Sequence, residues 1–153
     1  MDISTIFTAL IAVATAPTPI EGRWKNPIGS AIIAIEPCGD KLCGKVIWAS
    51  SRGEREVARN TRQIVGTTVL TGLHRDNAEW AGALYIPDDD IHVTAHLRPL
   101  GRTQLKLTGC GLMGLICRTQ LWTRYEGSLP SHPWRGSSPR KLSVRFLPQI
   151  QTT

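Results

Sequence analysis

The stretch EWAGALYIPDDDIHVTAHLRPLGRTQLKLTGC, residues 79–110, decides the fold. It divides into three runs, 79–86, 91–98 and 103–109, and the second alternates cleanly: Ile91, Val93, Ala95 and Leu97 are apolar, with more polar neighbours between them. A period of two is the signature of a half-buried strand. Pro87-Asp88-Asp89-Asp90 and Pro99-Leu100-Gly101 separate the runs with turn chemistry. Links this short join neighbouring strands antiparallel, because a parallel crossover needs a dozen or more residues.

The same grammar extends in both directions. Further runs lie at 22–26, 30–37, 44–49, 67–74 and 117–124, punctuated by Asn26-Pro27-Ile28-Gly29, Cys38-Gly39-Asp40-Lys41 and Arg75-Asp76-Asn77. No stretch after residue 16 keeps a helical period over three turns. Only the segment 50–65 is a long connection. Eight strands in sequence order predict an all-β, eight-stranded up-and-down antiparallel barrel over residues 20–125, closed so that neither edge is exposed. A two-sheet sandwich is the alternative for this strand count.

A chain of 153 residues is long enough for one such domain without metal. Of the formal charge of +6, four units come from Arg135, Arg140, Lys141 and Arg145 in the acid-free segment 127–153. The barrel itself is therefore close to neutral, with no basic face in its strands. Nucleic-acid binding needs a concentrated phosphate-neutralising surface, so it is excluded as a function class. Segment 127–153 is rich in Ser, Pro, Arg and Gly and is expected to be a disordered or loosely docked tail. Leu142, Val144 and Phe146 alternate, which leaves an added strand open.

At the other end, residues 3–14 are mostly apolar, and Ala12-Val13-Ala14 and Ala14-Thr15-Ala16 both read as signal-peptidase sites. Cleavage after Ala14 is preferred, since a cut after Ala16 would leave Pro17 next to it. The expected signal peptide is thus 1–14, or 1–16; a greasy segment docked on the barrel is the alternative. The run is shorter than the roughly 20 residues that span a bilayer, so after processing the protein is not expected to be integral to a membrane. A periplasmic or secreted location follows. Four cysteines fit an oxidising compartment. In an up-and-down barrel Cys38 and Cys43 flank the second connection, and Cys110 and Cys117 flank the seventh, at opposite ends. Those ends are about 20 Å apart, whereas a disulfide needs Cα atoms within about 7 Å. The expected bridges are Cys38–Cys43 and Cys110–Cys117. The same separation argues against a four-cysteine zinc site.

Gly22-Arg23-Trp24 resembles the Gly-x-Trp signature of lipocalin-type barrels. In that superfamily the Trp plugs the closed end and an Arg on the last strand covers its ring, a place matched here by Arg124. The wider set is more specific. Ile20-Glu21-Gly22-Arg23-Trp24, Pro37-Cys38-Gly39-Asp40, Leu42-Cys43-Gly44, Trp48, Arg62, Ile64-Val65-Gly66, Gly109-Cys110 and the run from Cys117 to Arg124 together resemble the bacterial exported family of domain of unknown function 2147. The resemblance covers residues 20–125 and implies a calycin-type fold and an exported location. It implies no activity.

With Trp24 at the bottom, the first, third, fifth and seventh connections line the mouth. The long 50–65 connection carries Arg52, Arg55, Arg59 and Arg62 against Glu54 and Glu56, which reads either as an anion-attracting lid or as a solvated loop. On the last strand Arg118, Gln120, Trp122 and Arg124 share one face. If that face points inward, Arg118 and Gln120 can hold a carboxylate or phosphate; if outward, they are plain surface. Trp48 and Tyr85 are further candidates for lining a pocket. His92 and His96 share a face but stand about 13 Å apart, too far for one metal. Asp88-Asp89-Asp90 reads as a polar turn. No nucleophile motif or paired carboxylates stand out, so no catalytic residue, cofactor or metal is expected. The expected function is binding of a small apolar or amphiphilic ligand, anionic ones included, in the cavity. The alternative is an envelope protein–protein interaction module or enzyme inhibitor acting through the mouth loops.

Overall fold

The protein is described by a computed structural model covering residues 18–131. Eight strands follow in chain order: β1 (Gly22–Lys25), β2 (Ala31–Cys38), β3 (Lys41–Ala49), β4 (Thr68–Asp76), β5 (Glu79–Ile86), β6 (Ile91–Leu100), β7 (Gln104–Gly111) and β8 (Ile116–Arg124). Each pairs antiparallel with the next, and β1 pairs with β8, so the sheet closes on itself as a barrel. The closing seam is short, with Trp24 opposite Arg124 and Lys25 opposite Thr123. The sandwich alternative is thereby set aside. The expected signal peptide and residues 132–153 of the expected tail lie outside the described residues, while residues 127–131 carry no strand.

Alternation drives the inner packing. Leu42 and Val46 on β3, Ala95 and Leu97 on β6, Leu105 and Leu107 on β7 and Trp122 on β8 belong to one buried cluster with Ile20 and Trp24. The closed end is built around Trp24, which is fully buried and whose Nε1 donates to the carbonyl of Ile20 at 2.8 Å. The guanidinium of Arg124 lies 4.3 Å from its ring centroid. Arg124 also donates to three backbone carbonyls, from Nε to Arg102 (2.7 Å), from Nη1 to Glu21 (3.0 Å) and from Nη2 to Pro19 (3.0 Å). One side chain therefore stitches the segment before β1 to the β6–β7 turn and to β8. Gly22 makes this possible: a Cβ there would stand 2.6 Å from Arg124 Nη1, and its φ of +119° suits only glycine.

The cysteines pair as expected, Cys38 with Cys43 and Cys110 with Cys117, at the two ends of the barrel.

The 50–65 connection differs from the loop expected. Its first half is a helix, α1 (Ser51–Val57), too short to leave a three-turn pattern in the sequence. Ser50 caps it, its hydroxyl accepting from the amide of Gly53 at 3.2 Å. Gly53 and Val57 face the barrel, and a Cβ on Gly53 would meet the carbonyl of Ser30 at 2.7 Å. The helix thus packs against the start of β2, held also by the Ser50 amide donating to the Ser30 carbonyl at 2.8 Å. Asn26 shapes the facing β1–β2 turn, its Oδ1 accepting from the amides of Ser30 (2.8 Å) and Ala31 (3.1 Å).

Candidate functional site

A cavity of about 710 Å³ opens at the end of the barrel opposite Trp24. It is bordered by all four connections expected at the mouth: Ile28 from the first, Gly53, Glu56 and Val57 from the third, Pro87, Asp88 and Asp89 from the fifth, and Leu112 from the seventh. Its volume falls within the roughly 300–1,000 Å³ of small-molecule sites. Ile33, Val46, Val69, Leu84, Val93 and Leu107 make most of the wall apolar, with Trp122 at depth.

The β7–β8 ladder shows how the space arises. Going outward, the facing pairs are Leu105–Trp122, Leu107–Gln120, Gly109–Arg118 and Gly111–Ile116. Large side chains on β7 fill the closed end, and glycines replace them toward the mouth. A Cβ on Gly109 would approach Val93 Cγ2 at 3.2 Å and Leu84 Cδ2 at 3.3 Å, so even a methyl would intrude on the wall. This taper from Leu105 and Leu107 to Gly109 and Gly111 was present in the sequence as a change of size at alternate positions, a signal the strand pattern alone overlooks.

Arg118, Gln120 and Trp122 line the cavity together, which decides the orientation left open by alternation. Trp122 Nε1 donates to Gln120 Oε1 at 2.9 Å, fixing the amide with its carbonyl engaged and its NH2 without a partner among the described residues. The guanidinium of Arg118 has no ion pair or hydrogen bond among the described residues. Both side chains are exposed to the open interior of the cavity. The carboxylates bordering the site lie on the mouth connections, and Glu56 is engaged by Arg52 at 2.8 Å.

Tyr85 also borders the cavity, but its polar edge is committed: the hydroxyl donates to Asp90 at 2.9 Å and the ring stacks on His92 at 4.8 Å. Trp48 and Arg62 fall outside the lining. For Trp48 the reason is a bulge. Leu42, Gly44 and Val46 keep the inward phase of β3, but Val46 pairs with Ile33 while Trp48 pairs with Ile32, so the register slips by one residue. Ala49, not Trp48, takes the next inward position. Arg62 lies beyond α1 and is exposed to solvent, because Ile64 turns inward two residues later in its place. Among the described residues no three His, Cys, Asp or Glu side chains gather as a metal site. No helix among them is long and apolar enough to cross a membrane.

Against known proteins, the family model described as "Uncharacterized protein conserved in bacteria (DUF2147)" matches residues 22–124. No curated protein matches the sequence. Among solved structures, a protein of the human pathogen Helicobacter pylori described as belonging to the lipocalin family superposes with a TM-score of 0.53. It is 13% identical, with 70% of this chain and 83% of that one covered. At that identity the likeness is one of fold: this is a lipocalin-like barrel.

Proposed function

This chain belongs to the bacterial family DUF2147, and we propose that it is an exported binding protein whose barrel holds a small amphiphile with an anionic head. The observation that supports this most is Arg118, a cation without a partner among the described residues, set in the wall of a largely apolar cavity. A guanidinium in such surroundings favours a carboxylate or phosphate, which it can meet with two parallel hydrogen bonds. Gln120, its carbonyl held by Trp122, offers its NH2 as a further donor one inward position deeper. The apolar wall takes the tail, with gain in proportion to the area removed from water. Binding rather than catalysis suits a site whose charged donor pairs with no base among the described residues. Export agrees with two disulfides in the barrel.

The test is competition for a fluorescent anionic amphiphile, anilinonaphthalene sulfonate, by dodecanoate and by dodecanol on delipidated protein. Dodecanoate should bind more tightly than the alcohol. Arg118→Gln should weaken dodecanoate about tenfold, equivalent to about 1.4 kcal/mol, and leave dodecanol within a factor of about two. Failure of both competitors, or equal loss for both in Arg118→Gln, contradicts the reading.

A further inference from the structure

We infer that the tip of the β7–β8 hairpin docks this protein, mouth first, onto an anionic lipid surface. Between Gly111 and Cys117 the chain reads Leu-Met-Gly-Leu-Ile, with no charged or polar side chain. Leu112 is 68% exposed, Met113 fully exposed, Leu115 85% and Ile116 56%. Large apolar side chains scattered over a surface need no explanation, but a contiguous group of this kind marks an interaction site.

The exposure is built into the fold. The tip is a single 3-10 turn in which Leu112 and Met113 have φ of 47° and 56°. Side chains other than glycine, Asn and Asp seldom adopt that left-handed conformation, which points here to a constraint that serves a purpose. The Cys110–Cys117 bridge clamps the two strands at the base of the turn. Ile28, 62% exposed on the adjoining β1–β2 connection, carries the apolar rim along the mouth.

Two observations favour a lipid surface over another occupant. First, Ile28, Leu112 and Ile116 belong both to the exposed rim and to the cavity lining, so an amphiphile moving between a bilayer and the barrel would stay in contact with apolar surface. Second, the same end carries Arg55, Arg59 and Arg62, all exposed and without ion pairs among the described residues, while Arg52 is held by Glu56. Insertion of a few apolar side chains gives only marginal binding, and the arginines of the β3–β4 connection, on the same rim across the mouth from the tip, supply the second signal that stable attachment requires. Asp88, Asp89 and Asp90 sit on the β5–β6 connection, which adjoins these arginines through Asn60 Nδ2 donating to the carbonyls of Pro87 (3.1 Å) and Asp88 (2.8 Å), and they offset part of the positive charge on that side of the mouth.

The proposal does not depend on a head group at Arg118, and its test is separate. Purified mature protein is floated with vesicles of phosphatidylglycerol and phosphatidylethanolamine, or of phosphatidylcholine alone. The wild type should float with the anionic vesicles. Met113→Asp with Leu115→Asp should reduce partitioning tenfold or more, with the unfolding midpoint unchanged because both side chains already face water. Arg55→Gln with Arg59→Gln should reduce it about threefold, and phosphatidylcholine should bind more weakly throughout. Arg118→Gln should float as the wild type does, even where it loses dodecanoate. A wild type that stays in solution, or an aspartate variant that floats equally well, overturns the inference. So does a concentration-dependent dimer that the aspartate variant abolishes in the absence of vesicle binding, since the tip would then be covered by a second copy.

Discussion

Gly22, Trp24 and Arg124 act as one unit, and each is constrained by the other two. The guanidinium of Arg124 fits over Trp24 because position 22 has no side chain, and its three carbonyl partners hold it there. Gly22→Ala adds a methyl 2.6 Å from Nη1 in a left-handed backbone, and should cost about 3 kcal/mol of unfolding free energy, read from the urea midpoint. Much of that cost is steric conflict with Arg124, so Gly22→Ala should cost less in an Arg124→Ala background; strict additivity would contradict the coupling. This unit was legible in the sequence, because glycine, an indole and a distant arginine form a recognisable set. The place of Trp48 and the polar partners of Tyr85, which lines the cavity as expected, were not. Trp48 loses its inward place to a one-residue slip opposite Ile32 and Ile33, and a bulge leaves no mark in an alternation count. Tyr85 gives its hydroxyl to Asp90 and its ring to His92, neighbours set by a turn conformation that spacing does not reveal.

Strands and their order followed from alternation and turn residues, since each connection but one is too short for any topology other than neighbour to neighbour. The disulfides followed in turn, because the barrel puts Cys38 and Cys43 at one end and Cys110 and Cys117 at the other. Each closes a short loop, so removing either by a double Cys→Ser change should cost about 2–2.5 kcal/mol by loop-closure entropy. The two losses should add, as nothing couples opposite ends of the barrel. Chemical unfolding of the two variants and their combination checks both points, and a synergistic loss would contradict the independence of the ends. Helix α1 escaped the sequence reading for a physical reason: seven residues make under two turns, and only Gly53 and Val57 are buried. Its position depends on the contact between Gly53 and Ser30 rather than on an amphipathic stripe. The β7–β8 tip escaped as well, since exposure of an apolar run cannot be told from burial without the strands that carry it.

At the scale of the molecule, the barrel is closed and packed at one end and open at the other, and the sizes of side chains along β7 create that difference. Charge is arranged to match: among the described residues Arg118 is the one lysine or arginine that lines the cavity, while the acids bordering it, Glu56, Asp88 and Asp89, lie on the mouth connections. A barrel that keeps about 710 Å³ open forgoes the packing that would fill it, and the proposed amphiphile restores that packing when bound. The most direct test is a crystal structure of the delipidated protein soaked with dodecanoate. The account predicts a chain running along Leu84, Val93 and Leu107, with its carboxylate within about 3.2 Å of the Arg118 guanidinium. A barrel collapsed so that Leu84, Leu107 and Trp122 pack together, with no room beside Arg118, would contradict it.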